Sequence, residues 1–205
     1  MSAESQGARP VTTPVLVLAS ASPRRQELLR LLGLAFVVRP PQVDESWRPG
    51  EPPEDYVLRL ARAKAATAGA GELALGADTT VLLDGELLGK PIDERDARRM
   101  LRRIAGREHT VLTAVALRAA ENGGEAHAVE RARVRMAPMS DAEIDWYVAT
   151  GEPHDKAGAY AAQGLGALFV ERIAGNYGTV VGLPLPTTYR LFAALGHDLR
   201  SFAGR

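Results

Sequence analysis

The stretch Leu18-Ala19-Ser20-Ala21-Ser22-Pro23-Arg24-Arg25-Gln26-Glu27-Leu28-Leu29 decides how this chain is read. It follows Val15-Leu16-Val17-Leu18, a short unbroken apolar run with the character of a buried strand. Ser22 suits an N-cap and Pro23 the first helical position. Leu28, Leu29, Leu31 and Leu32 then supply a helical apolar face, and Gly33 a stop. The reading is strand, tight turn, helix, with Ser20, Ser22, Arg24 and Arg25 at the junction. Two arginines in a first helical turn face positive partial charge from the helix itself. A bound anion reverses that disadvantage, because backbone N–H groups, hydroxyls and guanidinium forks then act together. The alternative, that both arginines point into water, stays open at this point.

Composition narrows the classes of partner. The 205 residues carry 25 Lys plus Arg against 25 Asp plus Glu, so the net charge is zero. That balance argues against bulk nucleic-acid or anionic-membrane binding while allowing a local basic pocket. With no cysteine there is no disulfide, thiolate metal site or cysteine nucleophile. No apolar run reaches the roughly 18 residues that a membrane span needs. Residues 1 to 13 are small and polar, without the features of a signal peptide. They are read as a disordered leader before a single domain over 14–200, with 201–205 a tail, and a cytoplasmic location is the expectation.

Outward from the first turn, Leu34 to Val38 reads as a second strand, followed by a proline-fixed loop carrying Asp44 and Glu45. Pro52-Pro53-Glu54-Asp55 opens a helix with Tyr56, Val57, Leu60, Ala61 and Ala65 on its apolar face and Arg59, Arg62 and Lys64 between. The next informative run is Leu73-Ala74-Leu75-Gly76-Ala77-Asp78-Thr79-Thr80-Val81-Leu82-Leu83. A carboxylate within such a run is costly to bury unless it is paired or holds a metal. Asp84-Gly85 signals a hairpin into Glu86-Leu87-Leu88-Gly89-Lys90-Pro91, which brings Asp78 and Lys90 onto paired strands or their ends. Asp93 caps a helix through Ile104. Strands follow at 110–117 and 129–136, then a Ser140–Glu143 capping box, a glycine-rich stretch through Lys156 and Gln163, a strand at 167–173, a loop over 175–186 and a last helix. There is no P-loop, no complete dinucleotide fingerprint, no His-Glu-x-x-His and no Gly-x-Ser-x-Gly.

What remains is a set: hydroxyls and arginines at one turn, the carboxylates Glu45 and Asp78, and the lysines Lys64, Lys90 and Lys156. Hard oxygen ligands without a Cys or His cluster suit Mg²⁺ or Mn²⁺. Cations beside such a metal are what a polyphosphate needs, and a carboxylate there can orient or deprotonate a water.

These residues resemble the Maf (septum-formation-inhibitor-like) family of nucleoside triphosphate pyrophosphatases. The likeness runs from about Val15 to Gly196. It rests on Ser20-Ala21-Ser22-Pro23-Arg24-Arg25, Val43-Asp44-Glu45, the run 59–65, Gly76-Ala77-Asp78-Thr79, Gly89-Lys90-Pro91, Asp155-Lys156-Ala157-Gly158-Ala159-Tyr160 and Val181-Gly182-Leu183-Pro184. The resemblance implies an α/β fold: a mixed twisted sheet flanked by helices, two lobes with a central cleft, like inosine-triphosphate pyrophosphatases, and a homodimer. It implies a hydrolase that splits the α–β phosphate bond of a nucleoside triphosphate, with no nucleic acid or membrane as partner. By motif, Asp78, Glu45 and Lys90 form the catalytic set and Glu45 with Asp78 the metal set. Ser20, Arg24, Arg25, Lys64, Thr79, Lys156 and Gln163 fall to the substrate. Arg24, Thr79 and Gln163 look like the family's dTTP/UTP set, as against Trp, Gln and Glu in its 7-methyl-GTP branch. A glutamine amide offers both a donor and an acceptor to a pyrimidine imide edge. Two other readings stay open here: a nucleotide-binding regulator of division that needs no turnover, and a purine-directed or 7-methyl-GTP pyrophosphatase.

Overall fold

The computed structural model describes residues 13–121 and 123–204. The leader expected before the first strand lies, but for Thr13, outside the described residues. The elements run β1 (Val15–Leu18), α1 (Pro23–Leu31), β2 (Val37–Val38), α2 (Pro53–Ala65), β3 (Glu72–Leu83), β4 (Glu86–Leu88), α3 (Glu94–Ile104), β5 (Glu108–Ala119), β6 (Glu125–Met136), α4 (Asp141–Ala149), β7 (Val170–Ala174), α5 (Tyr177–Val181) and α6 (Leu185–Ala194). One mixed sheet orders them β2-β1-β3-β5-β6-β7, with β4 also paired to β3. β1 is parallel to β2 and β3, and the other pairings are antiparallel.

Local chemistry explains most of these boundaries. Asp84 and Gly85 both have positive φ, 53° and 82°, which is the tight turn that matches strand twist in a two-residue hairpin. Asp93 accepts from the Asp96 N–H at 2.7 Å, and Ser140 with Glu143 forms the reciprocal capping box. At α1 the expectation holds only in part: Ser22 is the N-cap and Pro23 follows, but the Ser22 side chain makes no capping bond. Three other readings change. The strand expected from Leu34 shrinks to Val37–Val38, because Leu34 pairs singly with Ala203. The segment Gly164–Phe169 winds as 3₁₀ helix, so the strand expected from Ala167 begins at Val170. The loop expected over 175–186 contains α5. Residues 201–204, read as a tail, include Phe202, buried and edge-on to Phe192 at 5.4 Å.

The placement of the cores matters most for the site. On one face of the sheet α2 lays Val57, Ala61 and Ala65 against Leu112, Ala114 and Ala116. The other face carries two apolar clusters. One gathers Leu73, Leu75, Ala77, Val115 and Leu117 with α1 and α6. The second gathers Val81, Leu83 and Val111 with α3, α4 and Tyr160. Between Ala77 and Val81 on β3, and between Val111 and Val115 on β5, stand Thr79 and Thr113, paired across the ladder. A polar seam thus divides the two clusters, and the sequence's apolar runs give no sign of it.

Candidate active site

β1 pairs with β3 as far as Leu18↔Leu75, and β4 resumes at Leu88↔Val81. The edge of β3 from Gly76 to Thr80 therefore has no partner strand on that side among the described residues. The chain leaving β1 turns across this gap as Ala19–Ser22 and enters α1. A cleft of about 540 Å³ opens here, and all ten residues picked out from the sequence line it: Ser20, Arg24, Arg25, Glu45, Lys64, Asp78, Thr79, Lys90, Lys156 and Gln163. The cleft follows this open edge, so Asp78 and its neighbour Thr79 both line it although their side chains alternate between faces.

α2 brings Lys64 to Asp78. Gly76 permits this, since a Cβ there would lie 2.2 Å from the Ala61 carbonyl and 2.6 Å from the Ala65 nitrogen. The helix backbone rests directly on the strand, as only glycine allows. Lys64 Nζ then lies 2.8 Å from Asp78 Oδ1 and 2.6 Å from Glu45 Oε1. One ammonium bridges two carboxylates, and Lys64 and Asp78 are both buried. Burial raises the Asp78 carboxyl above its ordinary value, and the charges of Lys64 and Arg25 pull against it without cancelling it. Glu45 goes the other way. Burial opposes its charge, but the Lys64 hydrogen bond and charge, with Lys90 and Arg25 behind them, hold it below its ordinary value. The two acids share one lysine and yet differ, because Glu45 is half exposed and Asp78 is not.

The loop carrying Glu45 is fixed from α2. Tyr56 Oη donates to the Glu45 carbonyl at 2.9 Å, and Arg59 donates to the Ser46 carbonyl at 2.9 Å while paired with Glu51 at 2.6 Å. A cation interleaved on an amphipathic helix ordinarily belongs to a solvated face. That description suits Arg62, which is exposed and paired with Glu125.

Arg25 lines the cleft, but most of its guanidinium is engaged within the protein. It is buried, and four of its five N–H groups already have protein acceptors: the Gly182 carbonyl at 2.8 Å, Ser20 Oγ and the Ala77 carbonyl at 2.9 Å, and Thr79 Oγ1 at 3.1 Å. It ties the first turn, the bare strand edge and the segment after α5 into one unit. The chain of bonds continues inward in one direction. Thr113 gives its only hydroxyl proton to the Thr179 carbonyl at 2.7 Å, so across their 2.8 Å contact Thr79 donates to Thr113. Thr79 thus faces the cleft with an acceptor lone pair and no proton to give.

Lys156 pairs with Asp155 beside the cleft, and Gly158 N–H bonds to the Gly89 carbonyl at 3.0 Å, docking this motif on the segment that carries Lys90. Arg24 also lines the cleft, and its charge helps to hold the Asp155 carboxyl below its ordinary value. Tyr56, Thr80 and Tyr160 also line the cleft and were not singled out from the sequence. Tyr160 Oη meets His109 Nε2 at 2.8 Å behind the wall. No sequence signal marks that pair, which forms across 51 residues of chain.

Donor chemistry decides what metal the site fits. Among the described residues no three His, Cys, Asp or Glu side chains gather as a cage. Two carboxylates already accommodate one cation between them in the form of Lys64 Nζ. That fits a Mg²⁺-type ion, which keeps its waters and takes one or two carboxylates plus substrate phosphates.

The family model and the sequence relatives agree on the relationship. The family model described as "Maf-like protein" matches residues 15–195. A protein of Anaeromyxobacter dehalogenans named "dTTP/UTP pyrophosphatase" is 58% identical over 188 residues, covering 91% of this chain and 96% of that protein. Proteins of the same name from Symbiobacterium thermophilum and Shewanella oneidensis are 49% and 50% identical, covering 90% and 88% of this chain and 95% and 98% of theirs. Among solved structures, the Staphylococcus aureus Ham1 protein superposes with a TM-score of 0.46 at 11% identity, covering 92% of this chain and 93% of that one.

Proposed function

This chain belongs to the Maf-like protein family, and we propose that it is a hydrolase that cleaves dTTP and UTP between the α- and β-phosphates, releasing the monophosphate and pyrophosphate as a nucleotide-pool house-cleaning enzyme. The observation that carries the proposal is the Lys64 bridge between Asp78 and Glu45 inside a cleft ringed by Arg24, Lys90 and Lys156. Relatives of about half identity or more bear the corresponding name along nearly the whole chain.

In the proposed reaction, water oxygen bonds to the α-phosphorus, the bond from that phosphorus to the α–β bridging oxygen breaks, and pyrophosphate leaves with the bonding pair. Asp78 accepts the water's proton, a task suited to a carboxyl raised above its ordinary value. Lys64, Lys90, Lys156, Arg24 and the hydroxyl of Ser20 bind the triphosphate and offset charge gathering on the leaving group. Arg25 braces the turn that presents Ser20 and Arg24, with one N–H left for substrate. Glu45 and Asp78 would hold Mg²⁺ or Mn²⁺ together with phosphate oxygens, and the ion would neutralise phosphate charge when bound. Thr79, Gln163 and Arg24 meet the base: Thr79 accepts from an imide N–H, and the Gln163 amide offers a donor and an acceptor. A single domain over 14–200, a homodimer and a cytoplasmic location complete the proposal.

A panel of nucleoside triphosphates assayed for pyrophosphate with Mg²⁺ or Mn²⁺ tests it. UTP and dTTP are expected to release one pyrophosphate per turnover and to outpace GTP and ATP. Asp78→Asn is expected to lose about 100-fold or more in kcat while still binding UTP. Absence of pyrophosphate from every triphosphate overturns the enzyme reading, and faster turnover of purine substrates overturns the pyrimidine preference.

A further inference from the structure

Gln163 lines the cleft from a loop with no strand to hold it, and its amide has no hydrogen-bond partner among the described residues. The backbone on either side is held by two side chains outside the motifs. On the N-terminal side, the Ala161 N–H donates to Tyr147 Oη at 3.1 Å. On the C-terminal side, the Leu165 N–H donates to Glu152 Oε2 at 3.0 Å and the Gly166 N–H to Glu152 Oε1 at 2.9 Å. Tyr147 Oη closes the frame by donating to Glu152 Oε1 at 2.8 Å. Tyr147 is fully buried against Phe169, and the Glu152 N–H donates to Thr150 Oγ1 at 3.2 Å, so the frame is anchored in the α4 end of the core. Gly164 is fitted to it: its φ is +72°, and a Cβ there would lie 2.5 Å from Glu152 Oε2. Burial opposes the Glu152 charge, but the Gly166 and Leu165 N–H groups and the Tyr147 hydroxyl outweigh it and keep the carboxylate ionised.

We propose that Glu152 and Tyr147 form a clamp that positions Gln163 for reading the base, and so are positioning residues for nucleotide selectivity. The inference rests on the reading above that Gln163 meets the base. A carboxylate is suited to the task, because it accepts three hydrogen bonds from the loop and from Tyr147 and has no proton to offer in conflict with them. Glu152→Gln puts an NH₂ group where one of the acceptor oxygens stood, so at least one N–H of the 165–166 pair loses its partner. Tyr147→Phe keeps the ring packing and removes only the hydroxyl between Ala161 and Glu152.

The test is steady-state kinetics of the full chain, wild type and both variants, on UTP, dTTP, GTP and ATP with pyrophosphate detection. Expected is a fall in selectivity, measured as kcat/KM for the wild type's best nucleotide over its worst, of about tenfold in Glu152→Gln and about threefold in Tyr147→Phe, the scale of one lost hydrogen bond to a charged or a neutral group. The loss should appear in KM, with kcat within about twofold, since the groups on the phosphates are untouched. If kcat falls alike for all nucleotides and the ratio stays put, the clamp is merely structural and the proposal is overturned. If Glu152→Gln does not fold, the ratio in Tyr147→Phe decides in the same way. A wild type that prefers purines refutes the pyrimidine reading alone; the clamp then stands or falls on the ratio for whichever base is preferred.

Discussion

Gly76→Ala probes the contact that places Lys64. Gly76 lies in β3 with ordinary strand backbone and is not among the positive-φ glycines, so alanine meets no conformational penalty there. The cost is steric. The added Cβ would stand 2.2 Å from the Ala61 carbonyl, where anything under 3.0 Å is essentially never seen, so helix and strand must part by 0.8 Å or more. Lys64 Cβ, 3.1 Å from the new methyl, moves with the helix. Carried through to Nζ, the 2.8 Å bond to Asp78 opens to about 3.6 Å, beyond hydrogen-bonding range. Overpacking of a close-packed contact costs about 1–3 kcal/mol. Loss of a buried charged hydrogen bond adds about 1–3 kcal/mol. Together the substitution should remove about 2–6 kcal/mol from a folding free energy of about 5–15 kcal/mol. Urea denaturation followed by circular dichroism measures the loss, and pyrophosphate release from UTP should drop in parallel. Gly89→Ala is the control: Gly89 has no atom within 4 Å of a built Cβ and no positive φ, so its stability should stay within about 0.5 kcal/mol of wild type. If Gly76→Ala is as mild as that control, close approach of α2 to β3 is not what sets the Lys64–Asp78 pair.

Arg25→Lys should cost about 2–4 kcal/mol in the same denaturation assay, because one ammonium cannot satisfy four acceptors spread around a planar fork; a near-neutral result would return Arg25 to the substrate. Asp78→Asn, besides losing turnover, should leave folding stability at neutral pH unchanged or higher. The folded-state value of Asp78 is raised, so its ionised form costs stability once the pH exceeds the ordinary carboxyl value of 3.8; a stability loss at pH 7 would contradict this sign. His109 gives the opposite slope. Burial lowers it from 6.5 to about 4, so the neutral ring stabilises the fold above pH 6.5, and that contribution is lost as the pH falls toward 4. Linkage puts the loss at about 3 kcal/mol between pH 7 and pH 4. The stability difference between wild type and His109→Gln, measured by denaturation across that range, should shrink by this amount; a difference that stays constant with pH would refute the assignment.

Much of this protein is written locally. A long apolar run marks β3, and alternation marks β5 and β6. A 3.6-residue apolar period marks α2 and α3. Asp84-Gly85 fixes a hairpin and Ser140–Glu143 a helix start. Ordered short motifs were enough to name ten residues that share one cleft. Each of these signals spans a few residues and depends on backbone geometry or side-chain type alone. Other features depend on which distant residue is met. The Arg25 fork finds acceptors 52 and 157 residues away at Ala77 and Gly182, which makes it a brace of the cleft wall with one N–H to spare. The bare edge of β3 exists because β1 stops pairing at Leu75 and β4 starts at Val81, a matter of register between strands. Glu152 reads as an ordinary loop acid until the fold sets it under the N–H groups of Leu165 and Gly166. The sequence alone determined which side chains carry charge and which segments coil or extend. Tertiary structure decided which of those charges face the cleft and which are consumed within the protein, because hydrogen-bond capacity is finite and its assignment depends on contacts that no local pattern encodes.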